Sequence, residues 1–153
     1  TMKCLKDRGM DIRWLCIGST ANPFLFNKIN TMIANYGLHD NFILMGVDQN
    51  PYRYMAKSRA VLVLSDFESW SLVITEAKLL QIPVIATRTS GALEQIEDNR
   101  TGRFVSFEPM EIADVIEEYL RDPEIEKEMS HQLEGFSTNS TTLKEFYDVI
   151  GES

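Results

Sequence analysis

Short apolar runs alternate along this chain with segments whose apolar positions recur every three or four residues. Ile12 to Ile17 is β-branched and aromatic and stops at Gly18, and Asn41 to Met45 stops at Gly46. Ala60 to Leu64, Pro83 to Ala86 and Gly102 to Val105 read the same way, so five strands are predicted. Between them, Phe24 to Tyr36 places Phe26, Ile29, Ile33 and Tyr36 on one helical face, with Gly37 as a stop. Pro51 to Ser58 predicts a short helix with proline in its first turn. Ser71 to Leu80, Gly91 to Glu97, Glu108 to Leu120, Pro123 to Leu133 and Thr141 to Ile150 predict further helices. Thr1 to Gly9 reads as the last turns of an amphipathic helix, and hence the chain as a fragment. Strands apolar on both faces and separated by helices predict an α/β fold, a Rossmann-like parallel sheet with helices on both faces. Ligands of such sheets bind at the carboxyl edge of the strands. Residues 1–153 read as one domain, with 108–153 as its C-terminal helical region.

The segment Glu68-Ser-Trp-Ser-Leu-Val-Ile-Thr-Glu76 lies at that edge. Glu68 falls in the loop before a helix and Glu76 about one turn inside it. Leu72, Val73, Ile74, Ala77, Leu79 and Leu80 leave the helix almost no polar face, which predicts burial. Glu76 shares a stripe with Leu72 and Leu80, and Lys78 does not face it. An ionised glutamate there needs a partner. A ribose diol, with two hydroxyl donors, is one answer; an arginine such as Arg88 is the other. The free amides at the start of this helix, with its dipole, suit a phosphate. Ser69 and Ser71 allow close approach, and Ser71 is also placed as an N-cap. Thr87 to Glu94 opens a second helix with small residues and offers another, weaker cradle.

Composition narrows the classes. The chain has 153 residues, enough for one packed core. Its net charge is −8, which disfavours a broad nucleic-acid surface or an anionic membrane surface. Two cysteines, Cys4 and Cys16, make no disulfide framework or metal motif and fit a reducing compartment. Cys16, inside an apolar run, reads as a small buried hydrophobe. No apolar run reaches the roughly 20 residues of a membrane span. His39 and His131 read as surface residues, and the acids from Glu108 to Glu128 as a solvated helical face.

Residues 60 to 105 resemble the donor-binding half of retaining glycosyltransferases of the GT-B fold, family 4. The hallmark of that family is a Glu, seven residues and a Glu, here Glu68-Ser-Trp-Ser-Leu-Val-Ile-Thr-Glu76-Ala77. Pro83-Val-Ile-Ala-Thr87, Ser90-Gly91-Ala-Leu-Glu94 and Thr101-Gly102-Arg-Phe-Val105 follow in the family's order, and Asn41 to Gly46 and Tyr54-Met55-Ala56 precede it. The similarity covers roughly residues 10 to 120. It implies a fold that is one half of GT-B, without the first strand of that half, which is central in a sheet of order 3-2-1-4-5-6. The Arg and Lys that follow that strand and bind diphosphate have no counterpart either. Serines stand at 69 and 71 where the family usually has glycine, which narrows the pocket.

The resemblance also implies roles. Glu68, the catalytic candidate, would contact the hydroxyls of the donor sugar, and Glu76 would hold the ribose of the nucleotide. The backbone at Ser69, Trp70, Ser71 and Leu72 would meet sugar and diphosphate, with Trp70 supporting the loop from beneath. Ser90 and Gly91 would line the same pocket. The base would lie near Gly46 and Val47, against Tyr52 or Tyr54. No metal or other cofactor is implied, and the substrate is a nucleoside diphosphate sugar. The expected partner is an acceptor-binding half of the parent chain, through which a cytoplasmic protein would reach the membrane. No nucleic-acid partner is expected. A sheet without its central strand would reorder or exchange strands with a second copy. The implied activity is transfer of a hexose-type sugar to a saccharide or lipid-linked acceptor, absent from the fragment alone. The rival readings are a sugar-nucleotide epimerase or phosphorylase of the same fold, and a non-catalytic binding module.

Overall fold

A computed structural model of the chain describes residues 1–136; the predicted helix at 141–150 lies outside them. The chain divides into two compact units, Thr1–Pro51 and Tyr52–Ser153, where the sequence pattern reads as one domain.

The first unit holds α1 (Met2–Asp7), β1 (Trp14–Ile17), α2 (Pro23–Asn35) and β2 (Phe42–Gly46). β1 and β2 pair in parallel, Trp14 beside Phe42 with ring centroids 5.7 Å apart. Asn22 caps α2 through the Leu25 amide, and Pro23 takes the first helical position, where no amide is needed. Gly37, at φ +62°, lets the chain leave α2, so that Leu38 returns its amide to Ile33. Met2, Leu5, Ile33 and Leu38 form the buried core of the unit. Cys16 is exposed, contrary to its reading as a buried hydrophobe. A two-stranded sheet covers few of its own faces, so Leu15 and Cys16 stay open while the apolar pattern predicts burial.

The second unit contains α3 (Tyr52–Met55), β3 (Val61–Val63), α4 (Leu72–Leu79) and β4 (Val84–Thr87), then α5 (Ser90–Gln95), β5 (Gly102–Val105), α6 (Pro109–Arg121) and α7 (Pro123–Gln132). β3, β4 and β5 pair in parallel in that order, with Val61 beside Val84 and Val84 beside Gly102. β4 is central and wholly buried, as its Val-Ile-Ala-Thr run predicts. Ile74, Ala77, Val84, Ala86, Ala92 and Ile96 make the core cluster, joining α4 and α5 to the sheet. Each large apolar side chain buried there contributes about 1.5–3 kcal/mol. Gly102 has no room for a side chain, because a Cβ would stand 2.2 Å from the Val84 carbonyl oxygen. α6 buries Ile112, Ala113, Ile116 and Tyr119, and the Tyr119 hydroxyl donates to the Arg59 carbonyl at 2.6 Å.

All five predicted strands and the predicted helices within residues 1–136 are present, with helix ends displaced by at most three residues in either direction. The fold class is the expected one, parallel α/β with flanking helices. The strands form two sheets, of two and three strands.

Candidate functional site

Glu76 stands on α4, one turn in from Leu72, where its carboxylate is half-buried. The Tyr52 hydroxyl of α3 donates to its Oε1 at 3.0 Å. Burial pushes the Glu76 carboxyl above the ordinary glutamate range, and the Tyr52 bond opposes that by a smaller amount. Burial, that bond and the charge of Glu76 push the Tyr52 phenol up, so its proton stays on the tyrosine. Among the described residues no cation pairs with Glu76. Arg88, the alternative partner in the sequence, is committed to Asp98 at 3.0 Å and covers the Phe104 ring at 4.7 Å. Lys78 donates to the Gln95 carbonyl at 2.7 Å. The second oxygen of Glu76 therefore retains acceptor capacity that the described residues do not use.

The mouth of α4 is more open than its apolar sequence predicts. Leu72 is 69% exposed and Val73 43%, while Ile74, Ala77 and Leu79 are buried. Within the same first turn Ser71 and Ile74 face the core, and Leu72 and Val73 lie on its outward side. Ser71 is buried and its Oγ accepts from the Ile74 amide at 3.4 Å. The amides of Leu72 and Val73 have no intrahelical acceptor by geometry and lie on the exposed turn. Ser69 is exposed, and Trp70 is 55% exposed rather than tucked beneath the loop. Glu68 is partly exposed, and its carboxylate makes no ion pair or hydrogen bond among the described residues.

What holds this loop is α5. The Gly91 amide donates to the Glu68 carbonyl at 2.8 Å, and the Ser90 hydroxyl to the same oxygen at 3.1 Å. A Cβ on Gly91 would come within 2.7 Å of the Ser69 carbonyl carbon and the Trp70 nitrogen, so only glycine permits this approach. Thr89 caps the Ala92 amide at 3.2 Å. Ser90 and Gly91 thus support the loop, and the α5 mouth spends its amides internally; the Gly91 amide is not open to a ligand. Gln95, buried, completes the support: Thr75 Oγ1 and Gln95 Oε1 lie 2.9 Å apart, and Gln95 Nε2 donates to the Gly91 carbonyl at 3.0 Å. The sequence reading missed Gln95, although its i,i+4 spacing to Gly91 on a short apolar helix is the signal of an inward-facing amide. It also missed Tyr52 as the donor to Glu76, having placed that ring against a base. Gly46 and Val47 belong to the first unit, Gly46 ending β2 at φ +73° and Val47 being 77% exposed. Tyr54 lies beside the Arg53 guanidinium, whose carbon is 4.8 Å from the ring centroid.

Among the described residues no group of three or more His, Cys, Asp or Glu is placed to hold a metal ion. Nor is any helix there long and apolar enough to cross a membrane.

A parallel α/β sheet with an open helix mouth at its carboxyl edge is the general arrangement of ligand-binding doubly wound folds. The chain belongs to the family described as glycosyl transferases group 1, whose model matches residues 2–134. It is 28% identical over 124 residues to N-acetyl-alpha-D-glucosaminyl L-malate synthase of Bacillus anthracis, covering 80% of this chain and 32% of that protein. It thus spans about a third of that relative's length. Its fold is similar to a glycosyltransferase from Rickettsia africae ESF-5, with TM-score 0.77 and 23% identity over 99% of this chain and 44% of that one. It is also similar to Anabaena Alr3699/HepE in complex with UDP and glucose, with TM-score 0.75 and 21% identity over 91% and 37% of the two chains.

Proposed function

We propose that this chain is the nucleotide-sugar-binding part of a retaining glycosyltransferase. The parent protein would move a hexose-type sugar from a nucleoside diphosphate to a saccharide or lipid-linked acceptor. The observation that carries the reading is Glu76: a half-buried carboxylate, short of partners, beside an open helix mouth. Burying a charge this way costs stability unless a ligand or a cation repays it, and no described cation does. A ribose diol offers two hydroxyl donors to such an acceptor. The amides of Leu72 and Val73 and the positive end of α4 would face the diphosphate. As the glycosidic bond breaks, negative charge grows on the leaving phosphate, and fixed amide dipoles stabilise it without reorganising. Glu68, held by its own carbonyl against Ser90 and Gly91, keeps its carboxylate for the hydroxyls of the sugar. No metal is required in this scheme; cations from the acceptor-binding part of the parent would assist. The setting is the cytoplasm, with any membrane contact made through that other part.

The test is an NMR titration of the chain with UDP, GDP and ADP, read at the amides of Glu76 and Val47. One nucleotide should shift Glu76 and saturate, and Glu76→Ala should weaken its binding roughly 10- to 100-fold, as the loss of charge-assisted hydrogen bonds worth about 1.5–3 kcal/mol requires. The absence of a saturable shift with all three would refute the proposal.

A further inference from the structure

The two acids of the proposed site stand on different elements. Glu76 belongs to α4, and Glu68 to a loop whose main chain rests on α5. A donor gripped at its nucleotide by one acid and at its sugar by the other requires a fixed spacing between those elements. Ile74 and Ala77 of α4 and Ala92 of α5 share one apolar cluster. Apolar contacts are non-directional, so they hold the helices together without setting their spacing closely.

One side chain is hydrogen-bonded to both elements. Gln95, on α5 and 6% exposed, accepts at Oε1 from the Thr75 hydroxyl of α4 at 2.9 Å. Its Nε2 donates to the Gly91 carbonyl at 3.0 Å. The Gly91 amide in turn donates to the Glu68 carbonyl at 2.8 Å. The main chain of Gln95 is held as well, since its carbonyl accepts from Lys78 Nζ at 2.7 Å. Thr75 and Lys78, three residues apart, lie on one face of α4, and Glu76 follows Thr75 directly. The connection from Glu76 through Thr75, Gln95 and Gly91 to Glu68 is therefore continuous. Packing alone does not call for an amide here, because an apolar side chain of similar size would join the helices without the cost of burying a polar group. What a satisfied buried amide adds is direction and rigidity. We propose that Gln95 is a positioning residue for the donor: it fixes the spacing of Glu76 and Glu68, so that nucleotide and sugar are gripped together. This rests on the reading of the chain as the nucleotide-sugar-binding part of a glycosyltransferase.

The chain would be titrated by calorimetry with UDP, GDP and ADP, then with UDP-glucose, UDP-galactose, UDP-N-acetylglucosamine, GDP-mannose and ADP-glucose. The quantity read is the ratio between the affinity of a nucleotide sugar and that of its bare nucleotide. The bare nucleotide needs only α4, whereas its conjugate needs both elements. Gln95→Met, close in volume, should reduce the ratio roughly 5- to 10-fold, the scale of one lost hydrogen bond. Thr75→Val removes the same bond from the α4 side at nearly constant volume and should also reduce it, which keeps the test decisive where Gln95→Met fails to fold. Thr75→Ser keeps the hydroxyl and should keep the ratio. In the unliganded chain, both disrupting variants should shift the Ser69 and Trp70 amides in an NMR spectrum. A lowered melting temperature with an unchanged ratio would overturn the inference and leave the nucleotide reading standing. So would equal losses for nucleotide and conjugate, or a parent chain that binds no conjugate more tightly than its nucleotide. A parent chain that binds none of the three nucleotides would remove the nucleotide reading and the inference with it.

Discussion

At the scale of single residues, the Glu76 carboxylate is held where water reaches only part of it. A carboxyl whose folded-state pKa is raised binds its proton more tightly in the native state than in the unfolded one. Its contribution to stability is present below the unfolded pKa and is lost as pH rises through the folded one. Glu76→Gln, which can still accept from Tyr52, should therefore melt at or above the parent chain near pH 7. That difference should close near ~pH 4, and circular dichroism melts at the two values check it. The same variant should lose nucleotide affinity, which separates a binding role from a structural one. Tyr52→Phe removes the one interaction that lowers the Glu76 carboxyl. The nucleotide affinity of Tyr52→Phe should then fall at a higher pH than in the parent chain as the solution is acidified, a shift readable by calorimetry. Glu76 was legible in the sequence because a charge on an otherwise apolar helix needs a partner, a ligand or an arginine, whichever of the two it is. Tyr52 was not legible as its donor, since it comes from a helix 24 residues upstream and only the tertiary fold brings the two together.

Two glycines carry the elements of the site. Gly91 lets the Glu68–Ser71 loop rest on α5, and its Cβ would strike the Ser69–Trp70 peptide group at 2.7 to 2.8 Å. Gly91→Ala should cost about 1–3 kcal/mol, the usual range for forced overpacking. It should also move the Ser69 and Trp70 amides, which a melt and an NMR spectrum would record. Gly102 permits the contact of β5 with β4, and alanine there should be more destructive, because a carbonyl 2.2 Å away has nowhere to go within a buried strand. At this scale the sequence was most readable where an element is buried on all sides, as in β4, and least where an apolar pattern meets solvent. Leu72, Val73 and Cys16 all read as core and all lie open. Apolarity records what a residue can bury, not whether a neighbour arrives to cover it.

The molecule as a whole consists of a two-stranded and a three-stranded parallel sheet, and such edges present unpaired amides and carbonyls. Leu15 and Met45 add exposed apolar surface on β1 and β2. The chain should associate as its concentration rises, through strand pairing between copies, and sedimentation velocity would show this; a monomer at all concentrations would count against it. The family was legible from the ordered set of motifs between residues 60 and 105, because two acids, a helix mouth and the following strand must keep their spacing to meet at one edge. The acceptor and the linkage were not legible, since recognising them depends on surfaces that motif spacing does not encode. The most direct measurement takes whichever of UDP, GDP and ADP binds and compares it with its hexose conjugates by calorimetry on the parent chain, Glu76→Ala and Glu68→Ala. Glu76→Ala should lose affinity for nucleotide and conjugates alike, and Glu68→Ala should bind the nucleotide normally while losing the added affinity of the sugar. If both variants bind both kinds of ligand as the parent chain does, the two acids do not grip the donor and the account is wrong.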